Sequence, residues 1–156
     1  MAECNFKNTE EKARLLQEHL RKYGDSIPER AILEATSGEN LEHWVTECDD
    51  DGDLLSGITW ANNDWFLCTL HYLATATEQR GKQLGSKVTA KAVEQAKANP
   101  NCLVLAADIT YSNEPSKRIF KKLGFEEKNR FCWAPGEKPA DILHFVKMPP
   151  DGAVCK

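Results

Sequence analysis

Apolar positions change their spacing along this chain, and each change marks an element. Ala13, Leu16, Leu20 and Tyr23 recur at helical spacing and form one stripe. Asn8 is placed to cap that helix while Glu11 reaches back, and Gly24 to end it. A second, short helix is predicted from Ser26, with Pro28 in its first turn and Glu29 three residues on, stopping near Gly38. The spacing then shifts to two. His43, Val45 and Glu47 alternate with Trp44, Thr46 and Cys48, an Asp-rich turn with Gly52 follows, and residues 54–60 complete a hairpin. Asn62, Asn63 and Asp64 turn the chain into residues 65–75, which are apolar on both faces, as a central strand requires.

Beyond that point strands and helices alternate. Residues 85–98 carry Val88, Ala92 and Ala96 on one side, and Asn99-Pro100-Asn101 stops the helix. Residues 102–109 read as a second buried strand, and residues 113–123 as a helix ended by Gly124. Two last strands are predicted at 125–133 and 142–148, separated by the turn-rich residues 134–140. Antiparallel strands followed by a β-α-β-α segment predict an α/β fold with a mixed sheet. No repeat, low-complexity tract or linker interrupts the pattern, so one domain over residues 1–156 is expected.

Composition fits this picture: 41% hydrophobic and 28% charged residues in a chain of 156 suit one globular domain. No run approaches the roughly 18 apolar residues of a membrane span. The start, Met1-Ala2-Glu3-Cys4-Asn5, lacks the basic and apolar regions of a secretory signal. A net charge of −4 leans against general nucleic-acid binding and suits a cationic small molecule or basic peptide. The six cysteines form no Cys-x-x-Cys pair and no zinc spacing with the four histidines, so no metal site and a reduced, cytoplasmic protein are expected.

Two segments carry candidate chemistry. From Leu73 to Ser86 the chain runs from a buried strand through Arg80, Gly81, Lys82 and Gln83 into a helix. Such a turn aims free backbone N–H groups and the positive helix end at one point, which suits a phosphate or pyrophosphate. An ordinary β–α turn with solvated basic residues is the plain alternative. The second segment holds Asn113, Pro115, Ser116, Phe120, Gly124 and Phe125, each of which has a structural explanation as cap, first-turn residue or core side chain.

Together these segments resemble the GNAT superfamily of acyl-CoA-dependent N-acyltransferases. Arg80 and Gly85 match its cofactor motif, Arg/Gln-x-x-Gly-x-Gly/Ala, with Gln83 where glycine is usual. Asn113, Ser116, Gly124 and Phe125 match its later motif at the right spacing, with Phe120 where tyrosine is usual. The resemblance is strongest between Leu70 and Phe125, and the family's usual first strand has no counterpart before Asn40. It implies a GNAT-like fold, a mixed and mostly antiparallel central sheet flanked by about four helices. It also implies acetyl-CoA as acyl donor. The backbone of Leu73, Ala74 and Thr75 would pair with the pantetheine arm. Arg80 and the N–H groups of Gly81, Lys82, Gln83, Leu84, Gly85 and Ser86 would hold the pyrophosphate. Asn113, Ser116 and Phe120 would line the arm's other side.

The resemblance points to Asp108 as an acidic base on the second buried strand. A free Asp titrates near 3.9 and an ammonium near 10.4, so direct abstraction would need burial of the carboxyl. Otherwise Asp108 would act through water or bind the ammonium, or simply cap the Tyr111-Ser112 turn. Phe120 lacks the hydroxyl that protonates the departing thiolate in this family, and Tyr111, ahead of Tyr72 and His71, is the candidate substitute. Expected partners are acetyl-CoA and an amine acceptor of small-molecule or peptide type, with no nucleic acid and no membrane. The oligomeric state is open, a homodimer included. A non-catalytic acyl-CoA-binding module and a plain interaction domain are the competing readings. The acidic cluster Glu47, Asp49, Asp51 imitates a calcium loop, but the position needing a bidentate Glu is Ile58, so a hairpin turn is expected. Trp60 and Trp65 could wall a substrate or pack in the core.

Overall fold

The computed structural model describes residues 2–24, 27–62, 66–133 and 140–147, with the backbone alone for 132, 133 and 140–144. Along the chain run α1 (Thr9–Tyr23), α2 (Glu29–Ala35), a 3-10 helix (Gly38–His43), β1 (Trp44–Cys48) and β2 (Leu54–Asn62). β3 (Leu67–Thr75), a 3-10 turn (Thr77–Gln79), α3 (Leu84–Ala98) and β4 (Val104–Thr110) follow. The last elements are α4 (Glu114–Lys122), β5 (Glu126–Trp133) and β6 (Ala140–Lys147). The strands form one six-stranded sheet in the order β1-β2-β3-β4-β6-β5. β3 and β4 are parallel, whereas β1/β2, β4/β6 and β5/β6 are antiparallel. The expected α/β fold with a mixed, mostly antiparallel sheet is therefore present. Among the described residues no helix is long and apolar enough to cross a membrane.

The chain divides into two compact units, Met1–Ala61 with His71–Ala92 and Asn62–Leu70 with Val93–Lys156. In the first, the predicted stripe of α1 packs Leu16 and Leu20 with Ile32, Ala35, Leu41, Trp44 and Ala74. Full burial of each leucine contributes about 1.5–3 kcal/mol. Asn8 caps α1 as expected, its Oδ1 accepting from Glu11 N–H at 2.8 Å, and Glu11 reaches back to Lys7 N–H. Gly24 ends the helix for a reason of space: its φ is −70°, but a Cβ there would collide with Leu20 O and Ile27. α2 begins at Glu29 with Pro28 as its cap rather than inside its first turn; Ser26 lies outside the described residues.

Two expectations are corrected. The alternation predicted for β1 does not appear, because all five residues are buried. Trp44 belongs to the α1–α2 cluster while Glu47 meets α3, so β1 is covered on both faces. The cysteines are not all reduced: Cys4 and Cys48 form a disulfide. Ala2 pairs with Cys48 as an isolated bridge, so where the resemblance implies a first strand one bridge and one disulfide tie the N-terminus to β1. In the second unit Cys68 is a buried free thiol whose pKa is pushed up to about 12 by burial and by neighbouring Cys102, so it behaves as a small hydrophobe. Its core also holds Leu105, Ala107, Ile109, Phe120, Phe125 and Phe145. β5 ends the sheet order, and its exposed Glu126, Glu127, Lys128 and Arg130 suit a strand with one open edge.

Candidate active site

The first unit holds the end of β3 and the turn into α3. The parallel register of β3 with β4 runs from Leu67↔Val104 to Leu70↔Ala107. Two residues later Tyr72 takes φ 59°, a left-handed conformation that costs a bulky side chain about 1–2 kcal/mol. Tyr72 is held there by packing against the α1–α2 cluster and stacks on His71 with centroids 5.3 Å apart. Burial, then the Glu34 carboxylate, raises its pKa. Beyond this irregularity the strand is fixed from two sides. His19 Nε2 lies 2.9 Å from Ala74 O, Ser56 Oγ lies 2.8 Å from Thr75 Oγ1, and Ala76 N–H donates to Leu55 O at 2.8 Å.

The turn has the form the sequence suggested. Gly81 has φ 86° and Gln83 φ 62°, so the left-handed backbone is kept at Gln83, where the family motif has glycine. A Cβ on Gly81 would meet nothing within 4 Å, so dihedral freedom, not space, is what glycine supplies there. The first bond of α3 is Lys87 N–H to Gln83 O at 3.0 Å. Among the described residues the N–H groups of Gly81, Lys82, Gln83, Leu84, Gly85 and Ser86 have no protein acceptor. Arg80 is exposed, and Lys82 Nζ donates to Gln79 Oε1 at 3.1 Å. Free N–H groups, a positive helix end and two cations are the groups that could hold an anion.

The second unit carries the other predicted residues. Asn113 caps α4, its Oδ1 accepting from Ser116 N–H at 3.2 Å. Phe125 N–H donates to Phe120 O at 3.0 Å and Gly124 N–H to Lys121 O at 3.0 Å, with Gly124 at φ 90°. Phe120 and Phe125 meet edge to face at 5.0 Å. These are the two bonds and the apolar contact of a Schellman cap, so the spacing from Asn113 to Phe125 is that of a helix closed at both ends. Ser116 and Phe120 are buried at 8% and 3% exposure, and Phe120 packs on Phe125.

Asp108 is exposed, between buried Ala107 and Ile109. The burial that direct proton abstraction would need is therefore not supplied by the chain. Cross-strand rows place Asp108 with His144 and Asn129, and Ile109 with Leu143 and Arg130, so Asp108 and Arg130 belong to opposite faces. Tyr111, 47% exposed, is held between Lys117 Nζ at 4.6 Å and Arg130 Cζ at 4.0 Å from its ring centroid. Lys117 is itself paired with Glu114 Oε1 at 2.5 Å.

Trp60 stacks on His43 at 4.1 Å and Trp65 lies outside the described residues. The acidic loop is the expected turn: Asp49 Oδ1 accepts from Asp51 and Asp53 N–H. Two residues escaped sequence reasoning. His19 sits at helical spacing from Leu16 and Tyr23, a signal that it belongs to the buried stripe; Glu47 stands in sequence beside the acidic turn, with nothing local to mark its burial.

The sequence profile described as the acetyltransferase (GNAT) family matches residues 9–125. A search of curated proteins gives no match. Among solved structures the chain is similar to Ard1 from Thermoplasma volcanium, at 13% identity and TM-score 0.76, covering 94% of this chain and 96% of that one. It is similar to yncA from Salmonella typhimurium, solved with its cofactor acetyl-CoA, at 14% identity and TM-score 0.70, covering 100% and 99%. It is also similar to Arabidopsis thaliana NAA60 in complex with a bisubstrate analogue, at 15% identity and TM-score 0.68, covering 94% and 95%.

Proposed function

The chain belongs to the acetyltransferase (GNAT) family, and we propose that it moves the acetyl group of acetyl-CoA to an amine of a small molecule or peptide, by direct transfer in a ternary complex. The observation that carries this reading is the turn from Gly81 to Ser86, with left-handed Gly81 and Gln83 and six N–H groups left without protein acceptors among the described residues. Acetyl-CoA brings a pyrophosphate that fits those donors and a thioester carbonyl open to attack by an amine. The turn speaks only to the donor and not to the acceptor. The likeness to yncA, solved with acetyl-CoA, supports the donor, and the likeness to a protein holding a bisubstrate analogue supports direct transfer.

In this reading the backbone of Leu73, Ala74 and Thr75 holds the donor's arm, and an N–H near Thr75 stabilises charge developing on the carbonyl oxygen. Preorganised donors are effective because they need not reorient during reaction, and the bonds from His19, Ser56 and Ala76 hold this stretch still. Asp108, being exposed, attracts the ammonium or receives its proton through water. Phe120 cannot donate a proton to the thiolate, and Tyr111 is the proposed substitute. A thiol pKa near 8.5 also makes unaided departure tolerable. The packing of Phe120 against Phe125 favours one second reading, a non-catalytic module that binds acyl-CoA and regulates a partner.

Thermal melting with acetyl-CoA, followed by CoA release with polyamines, amino acids, aminoglycosides and peptide N-termini, separates these readings. A melting shift with release for one amine class is the expected result, since the donor binds only the folded chain. A shift without release for any amine leaves the binding module. No shift overturns both.

A further inference from the structure

Glu47 is the one fully buried carboxylate among the described residues, at 0% exposure on β1. A buried carboxylate is costly unless a cation compensates it. The cations come from α3: Lys87 Nζ lies 3.0 Å and Lys91 Nζ 3.6 Å from Glu47 Oε1, both on half-exposed side chains one turn apart. Neither carboxylate oxygen accepts a directional hydrogen bond among the described residues, so the contact is one of charge. Lys87 is the fourth residue of α3, close to the positive helix end where a cation is unfavourable. Glu47 supplies the charge that makes lysine tolerable there.

The row continues across the sheet. Glu47 is paired in register with Ser56, on the face where Val45 pairs with Ile58, and Ser56 Oγ is 2.8 Å from Thr75 Oγ1. One polar row thus runs from the start of α3 to the end of β3 by way of the buried Glu47 and Ser56, positions that could hold apolar side chains. We infer that Glu47, through Lys87 and Lys91, is a positioning residue that sets α3 so that its first turn presents its N–H groups to the donor. This rests on the acetyl-CoA reading above.

For Glu47→Gln the two effects of removing the charge have opposite signs, which makes the inference testable. Loss of positioning weakens donor binding. Loss of a nearby negative charge, acting through space alone, strengthens binding of an anion. Lys91→Gln removes a positive charge, whose loss weakens anion binding through space as well, so that variant is read at low and high salt. An effect that salt abolishes overturns the inference and one that persists supports it. The experiment is calorimetric titration of acetyl-CoA into wild type, Glu47→Gln and Lys91→Gln, with amine KM measured at saturating acetyl-CoA. Lys91 is one turn farther from the helix start than Lys87, and its half-exposed side chain keeps that variant folded even where Glu47→Gln fails to fold. About a tenfold rise in acetyl-CoA Kd is expected for Glu47→Gln and about threefold for Lys91→Gln, with amine KM unchanged. The double variant should be no weaker than Glu47→Gln, since both act on one contact. Unchanged or tighter binding in either single variant overturns the inference. A wild type that does not bind acetyl-CoA overturns the donor reading and this inference with it.

Discussion

The imidazole Nε2 of His19 in α1 lies 2.9 Å from the carbonyl oxygen of Ala74 in β3. A carbonyl only accepts, so Nε2 carries the proton and the contact ties the first helix to the strand that carries the proposed donor arm. Burial lowers the pKa of His19, outweighing the Ala74 bond and the Glu78 charge that raise it. A base with a depressed folded pKa is neutral in the folded chain while the unfolded chain already binds a proton. Stability is therefore full above the ordinary histidine value of about 6.5 and is lost as pH falls toward the folded value. Melting temperature should fall between pH 7 and pH 5, and His19→Gln, which keeps a donor but does not titrate, should flatten that slope. An equally steep slope in the variant would assign the acid sensitivity to other groups.

Gln83 at φ 62° predicts a gain from glycine. Relief of the left-handed conformation is worth about 1–2 kcal/mol, offset by about 0.5–1 kcal/mol from the freer unfolded chain. Gln83→Gly should raise the melting temperature slightly and lower acetyl-CoA Kd, because a side chain leaves the anion turn. A lower melting temperature would show that the Gln83 side chain is needed.

Ser86, the third residue of α3, separates helix stability from anion binding. A glutamate there suits the positive helix end by about 0.3–1 kcal/mol. Ser86→Glu should hold or raise the melting temperature of the free chain and remove the shift caused by acetyl-CoA. A shift that persists would place the pyrophosphate elsewhere.

Asp108 is exposed, so Asp108→Asn should leave melting and the acetyl-CoA shift intact. The expected change is a fall in kcat/KM for the amine by about 10², mainly through a raised amine KM if the carboxylate anchors an ammonium. Recovery at high pH with unchanged KM would instead mark a base. Full activity at every pH would remove Asp108 from the mechanism.

Phe120 is 3% exposed and packed on Phe125, so Phe120→Tyr places a hydroxyl in a buried position. A loss of about 1–3 kcal/mol in stability is expected where that hydroxyl finds no partner. If leaving-group protonation limits turnover, kcat should rise, most at pH below the thiol value of about 8.5. Unchanged kcat with acetyl-CoA binding intact would mean the thiolate leaves unaided or that another acid serves.

Local chemistry is enough to find the helices, the hairpin and the turn from Gly81 to Ser86. Asn8 and Asn113 cap whatever helix follows them, Gly124-Phe125 closes α4 through bonds to residues within five positions, and Gly81 opens a turn by its own dihedral freedom. Such features depend on near neighbours, so residue order is sufficient to reveal them. Tertiary structure alone decided which faces are covered. β1 alternates in sequence yet is buried throughout, because Trp44 packs with α1 and α2 while Glu47 meets lysines of α3 some forty residues on. Cys4 and Cys48 are bonded because the N-terminus lies beside β1 at Ala2, a proximity that cysteine spacing does not encode. His19 reaches Ala74, and Arg130 of β5 reaches Tyr111, through contacts between separate elements of the chain. Burial and charge environment are sums over all packed neighbours, and a sequence lists residues without saying which neighbours those will be.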